Sequence, residues 1–130
     1  MPAAFKVVTD NQIATLTLTQ PQTANCLAAE FWDQFPSAIQ ELGRSPAVRV
    51  IVLAAEGKHF CSGIDTGLLS KIVTPPEAEI GRQRVRVFEI GSRLQAAISS
   101  VAKVRVPVIA AVQGACMGAG LDLVTACDLP

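Results

Sequence analysis

The 130 residues include a single histidine, His59, so one imidazole is all that a metal or a histidine-assisted nucleophile could draw on. The four cysteines, Cys26, Cys61, Cys116 and Cys127, form no C-x-x-C pair and sit beside small or apolar residues. No zinc-ligand spacing results, so no metal site is expected. The thiols read as reduced core residues of an intracellular protein. Charge is also scarce, at 17% of residues with a net charge of zero. That removes the electrostatic basis for a nucleic-acid or anionic-membrane partner. No apolar run approaches the ~18–20 residues that span a bilayer. The N-terminal Met-Pro-Ala-Ala-Phe-Lys has neither an apolar signal core nor an Arg-rich presequence, and Asp128-Leu129-Pro130 is no import address. What is present is a chain that is 50% hydrophobic, the reverse of a disordered composition. It is long enough for one domain with a core.

Phe5–Val8 and Ile13–Thr19 read as strands around the turn residues Asp10-Asn11, an antiparallel hairpin. The second strand alternates apolar Ile13, Leu16 and Leu18, with Ala14, against threonines. Gln20–Asn25 is a loop containing Pro21. Ala28, Phe31, Trp32, Phe35, Ala38, Ile39 and Leu42 fall at helical spacing, ending at Gly43. Pro36 removes the hydrogen bond to the Trp32 carbonyl and predicts a kink or break. Val48–Ala54 is β-branched and reads as a buried strand. Residues 66–79, with Pro75-Pro76, read as a loop. A long helix follows over Ile80–Val101, with an apolar face of Ile80, Val87, Ile90 or Gly91, Leu94, Ile98 and Val101. Its arginines 82, 84, 86 and 93 read as a solvated face, with some near a phosphate-bearing ligand as the minority reading. Val106–Val112 is the last strand, and Leu121–Ala126 a helix. Strands alternating with helices give an α/β class with right-handed crossovers.

Two glycine turns each follow a buried strand: Cys61-Ser62-Gly63-Ile64-Asp65 and Gly118-Ala119-Gly120. If the two strands are neighbours, both turns lie at one sheet edge, and two backbone N–H groups can converge on one oxygen as an oxyanion hole. On glycines alone, ordinary tight strand–helix turns are the commoner explanation. Asp122 falls in the first turn of the last helix. A carboxylate there is favoured by the helix dipole by about 0.3–1 kcal/mol; alternatively it is a general acid or base, buried between Leu121 and Leu123. Asp128 reads as a turn or cap residue, and His59 as a surface or loop histidine. Gly114-x-x-x-Gly118-x-Gly120 is not the G-x-G-x-x-G of dinucleotide binding, and no P-loop occurs.

His59-Phe-Cys-Ser-Gly-Ile-Asp65 and Pro107-Val-Ile-Ala-Ala-Val-Gln-Gly-Ala-Cys-Met-Gly-Ala-Gly-Leu-Asp-Leu-Val-Thr-Ala-Cys-Asp128 resemble the two signature segments of the crotonase (enoyl-CoA hydratase/isomerase) family. Pro21-Gln-Thr-Ala-Asn25-Cys-Leu27 resembles that family's early loop, with Cys26 where alanine is usual. The resemblance runs from about Phe5 to the end and is closest to the dienoyl-CoA isomerase branch, which carries Asp at position 122. It implies a ββα-spiral fold and an acyl-CoA thioester substrate, with no separate cofactor because CoA is part of that substrate. The N–H groups of Ile64 and Ala119 would form the oxyanion hole, Ala119 standing where glycine is usual. Ser62, Gly63, Ile64, Asp65, Thr66 and Ala119 would contact substrate, and Asp122 would be catalytic. The implied reaction shifts a 3,5-dienoyl-CoA to the 2,4-dienoyl-CoA; enoyl-CoA hydration and a non-catalytic binder of a CoA thioester or a partner are the alternatives. Members are about twice as long and carry further acids in their second half, so residues 1–130 are expected to be one crotonase-like domain cut before that half. Homotrimers or hexamers, and peroxisome or mitochondrion as sites of fatty-acid β-oxidation, are further implications.

Overall fold

The computed structural model describes residues 4–73 and 79–130. Strands β1 (Phe5–Asp10) and β2 (Ile13–Leu18) form an antiparallel hairpin in the register Phe5↔Leu18 to Asp10↔Ile13. Its turn residues, Asn11 and Gln12, have φ of 51° and 68°. Positive φ at both central residues matches the twist of the flanking strands. In β2 the core takes Ala14, Leu16 and Leu18, while Ile13 is 43% exposed. Strict alternation in the pleat therefore puts Ile13 on the opposite face from the residues it was grouped with in the sequence.

Helix α1 (Ala29–Arg44) crosses to β3 (Val50–Ala55), which lies parallel to β2. The helix runs through Pro36 without the break that residue predicts. Its buried stripe of Phe31, Trp32, Phe35 and Ile39 holds it, because packing of an amphipathic face outweighs the lost backbone bond. Phe31 stacks on Phe35 with ring centroids 4.6 Å apart, and Phe5 meets both edge-on.

After β3 the chain forms α2 (Thr66–Val73), where the sequence reads as loop. The Asp65 carboxylate caps it, accepting the Leu68 N–H at 3.1 Å. The remainder of that predicted loop, 74–78 with Pro75-Pro76, lies outside the described residues. Helix α3 (Ile80–Lys103) starts on Glu79, whose carboxylate accepts from the N–H groups of Gly81 and Arg82. Those bonds hold Glu79 below the usual carboxylate range. Only Ala97, Ser100 and Val101 of α3 are buried. The apolar face predicted for its first half is not covered: Ile80 is 61% and Val87 38% exposed.

Strand β4 (Val108–Ala110) pairs parallel to β3 and leads to α4 (Ala119–Ala126), which begins two residues earlier than its sequence pattern suggests. The sheet order is β1-β2-β3-β4. Leu129 adds a bridge to Ile109, and the Asp128 carboxylate accepts the Val108 N–H at 2.8 Å. Asp128 thus ties the chain after α4 back to the sheet rather than serving as a helix cap. No helix among the described residues is long and apolar enough to cross a membrane.

Candidate active site

Because β3 and β4 are parallel neighbours, the segments that follow them leave the sheet at the same edge, where ligands of open α/β sheets bind. They touch there. Cys61 and Cys116 form a parallel bridge, with Cys61 N–H donating to the Ala115 carbonyl at 3.2 Å and Met117 N–H to the Cys61 carbonyl at 3.0 Å. On the other side Leu27 brackets Ile64: its N–H donates to the Gly63 carbonyl at 2.8 Å and its carbonyl accepts from Asp65 at 3.0 Å. In such a bridge the bracketed residue directs its own N–H away from the partner. The Ile64 N–H therefore points away from Leu27. Ala119 is the first residue of α4, where a helix leaves its N–H groups unpaired. Among the described residues neither the Ile64 N–H nor the Ala119 N–H has a hydrogen-bond partner.

The closeness of the two turns depends on glycine. Gly63 has φ 106°, and a Cβ there would lie 3.2 Å from the Met117 carbonyl oxygen and 3.8 Å from the Ala119 nitrogen. Gly118 takes φ 54°. It absorbs the left-handed step, so Ala119 enters the helix with no positive φ.

Asp122 is exposed, not buried between its leucine neighbours as the sequence suggests. It stands on the first turn of α4 and lines a cleft of ≈ 490 Å³ with Gln95, Ile98 and Ser99 of α3 and Thr125. The other residues assigned to substrate already have local duties. Ser62 Oγ donates to the Thr23 carbonyl at 3.3 Å, Asp65 caps α2, and Thr66 begins that helix.

Sequence reasoning passed over the side chains that join the loops of this edge. Asn25 is buried and accepts from the Gln20 N–H at 2.9 Å while donating to the carbonyls of Glu56 and His59 at 2.9 and 3.0 Å. Gln113 donates to the carbonyls of Ala55 and Gly57. His59 is no free surface residue: it is half-buried, and its Nδ1 accepts the Ala115 N–H at 3.0 Å. The signal was positional, since all three fall within the loops flanking the glycine turns. Burial pushes the Cys61 and Cys127 thiols up to about 11, which makes them poor nucleophiles. Among the described residues no group of three or more His, Cys, Asp or Glu side chains could hold a metal ion.

The family model described as enoyl-CoA hydratase/isomerase matches residues 8–130. The peroxisomal Delta(3,5)-Delta(2,4)-dienoyl-CoA isomerase of Arabidopsis thaliana is 44% identical over 93% of this chain and 44% of its own length. The mitochondrial enzyme of that name from Rattus norvegicus is 34% identical over 86% of this chain and 35% of its own. An enoyl-CoA hydratase structure from Mycobacterium smegmatis superposes with a TM-score of 0.78 at 31% identity, over 97% of this chain and 46% of that one. The chain spans less than half the length of these relatives. The fold, the paired glycine turns at one sheet edge and the family match over nearly every residue agree: this chain belongs to the enoyl-CoA hydratase/isomerase family.

Proposed function

We propose that this chain supplies the oxyanion hole and one proton-transferring carboxylate of a dienoyl-CoA isomerase. The observation that carries the proposal is the apposition of the Gly63 and Gly118 turns with the N–H groups of Ile64 and Ala119 unpaired. Converting a 3,5-diene to a 2,4-diene removes a proton from C2 and returns one to C6. Loss of the C2 proton places negative charge on the thioester oxygen. Two fixed N–H donors aimed at that oxygen stabilise the enolate, and each such donor is worth about 2.7–4 kcal/mol of barrier. Asp122, on the same first turn of α4 as Ala119 and open to the α3–α4 cleft, exchanges one of the two protons. The shift is redox-neutral and requires no cofactor beyond the CoA of the substrate. The isomerase branch is favoured over hydration by the names of the relatives from Arabidopsis and rat and by the aspartate at 122.

The test is a spectroscopic assay of the purified protein on a 3,5-dienoyl-CoA. A 2,4-dienoyl product, lost in Asp122→Asn while acyl-CoA binding persists, is the expected result. Efficient hydration of crotonyl-CoA with no diene product would refute the isomerase reading. Full activity in Asp122→Asn would remove Asp122 from the mechanism.

A further inference from the structure

The turn that carries Ala119 is clamped by the loop after β3. Gly114 has φ 60° and presses so closely on that loop that a Cβ would meet the Lys58 carbonyl oxygen at 2.1 Å. The chain leaves Gly114 through Ala115, whose N–H donates to His59 Nδ1 at 3.0 Å. The backbone on both sides of the imidazole is fixed: the His59 carbonyl accepts from Asn25, and the Phe60 N–H donates to the Gln113 carbonyl at 2.8 Å. A ring nitrogen that accepts carries no proton, so His59 is the neutral tautomer with its proton on Nε2. From Ala115 the chain passes through the Cys116 bridge and the Met117 N–H bond to Cys61 before reaching Gly118 and Ala119.

We infer that His59 is a positioning residue for this turn. Its unprotonated Nδ1 takes the Ala115 N–H and so sets the path on which the chain delivers the Ala119 N–H. The functional half of this inference rests on the oxyanion-hole reading; the hydrogen bond stands apart from it. The chemistry implies a particular selectivity among substitutions. Asparagine carries Oδ1 on Cγ where histidine carries Nδ1, so His59→Asn keeps an acceptor in place. His59→Gln moves the acceptor one bond outward. His59→Leu fills comparable space and offers none.

His59 is the only histidine, so its ring gives one unambiguous pair of nitrogen signals in long-range ¹H–¹⁵N spectra of the full chain. The Nε2–H pattern is expected, with slow exchange of the Ala115 amide. His59→Asn should keep that protection. In His59→Leu, Ala115 exchange should accelerate on the order of tenfold or more while the Phe60 amide stays unchanged. In turnover of a 3,5-dienoyl-CoA, His59→Leu and His59→Gln should lose roughly 10- to 100-fold in kcat. KM should stay within about twofold, the mark of an interaction used in the transition state. His59→Asn should recover most of the rate. An Nδ1–H tautomer in the unsubstituted protein would overturn the inference. So would an Ala115 amide equally protected in His59→Leu, or an Asn variant as impaired as Leu. If His59→Leu does not fold, the tautomer and His59→Asn decide. If the unsubstituted protein turns over no dienoyl-CoA, the isomerase reading fails alone, and the tautomer and exchange measurements still judge His59.

Discussion

Gly120→Ala sets two effects of opposite sign against each other. Gly120 is the second residue of α4 and is buried. In an unobstructed helix, replacing glycine by alanine gains about 1 kcal/mol. Here the new methyl would lie 2.7 Å from Cys61 Cβ, 2.9 Å from its Sγ and 3.1 Å from its carbonyl oxygen. Relaxed carbon contacts need about 3.5–4.0 Å. The sulfur can rotate away, but the Cβ and the carbonyl move only with a backbone that Ala115 and Met117 hold by hydrogen bonds. The start of α4 must therefore retreat by roughly 1 Å. Overpacking of this kind costs about 1–3 kcal/mol, which exceeds the helix gain. A net loss of about 1 kcal/mol is expected from the two ranges together. Urea denaturation followed by the fluorescence of the buried Trp32, the only tryptophan, measures it. Gly91→Ala is the internal control. It lies in α3, where a Cβ meets nothing within 4 Å, so it should show the gain. A Gly120→Ala protein stabilised as much as Gly91→Ala would show that the two turns have slack and would refute the close apposition on which the site depends.

Asn25→Ala should cost on the order of 3 kcal/mol or more in the same denaturation assay. It takes their amide donor from the carbonyls of Glu56 and His59, and each buried unpaired group costs about 1–3 kcal/mol; a loss below 0.5 kcal/mol (about the spread of a neutral surface change) would contradict it. Ala119→Gly should leave the fold and acyl-CoA binding nearly unchanged, whereas Gly118→Ala should weaken both, because position 118 alone holds the positive φ; comparable losses from the two would show that the strain is shared. Stability should fall as pH rises from about 9 to about 11. The Cys61 and Cys127 thiols move up from 9.0 to about 11 on burial, so the folded chain retains protons that the unfolded chain releases. Their contribution is complete below pH 9.0 and is lost as the folded values are passed. Cys61→Ala should flatten the urea midpoint between about pH 8 and 10.5, and an undiminished slope would assign the alkaline loss to other groups.

The strands and the two glycine turns were legible because each is a local pattern: period-two burial in β2, a β-branched run in β3, glycine where the backbone turns left-handed. Misread segments were those whose state depends on something distant. Helix α2 has only Ile72 fully buried, so its sequence carries a faint helical period, and nothing in the sequence marks Asp65 as its cap. The first half of α3 shows helical spacing in Ile80, Val87 and Leu94, yet spacing reports only that these residues share a side of the helix. Whether anything packs on that side is a tertiary fact, and among the described residues the coverage begins near Leu94.

The candidate site was harder to read for a different reason. Its proposed donors are backbone N–H groups, which every non-proline residue possesses, so the identities of Ile64 and Ala119 say little about their role. What the sequence can encode is the set of residues that leave those two N–H groups unpaired and bring them together. Gly63 and Gly118 do so by conformation, Leu27 by occupying the neighbouring carbonyl and amide, and His59, Asn25 and Gln113 by tying three loops to one another. Ala119 illustrates the distinction. Where the family resemblance leads one to expect glycine, alanine would count as a defect in the proposed oxyanion hole, but the left-handed step is taken one residue earlier, by Gly118 at φ 54°. The side chain at 119 is then free to vary, provided that the residue before it is glycine and the turn behind it stays anchored to His59.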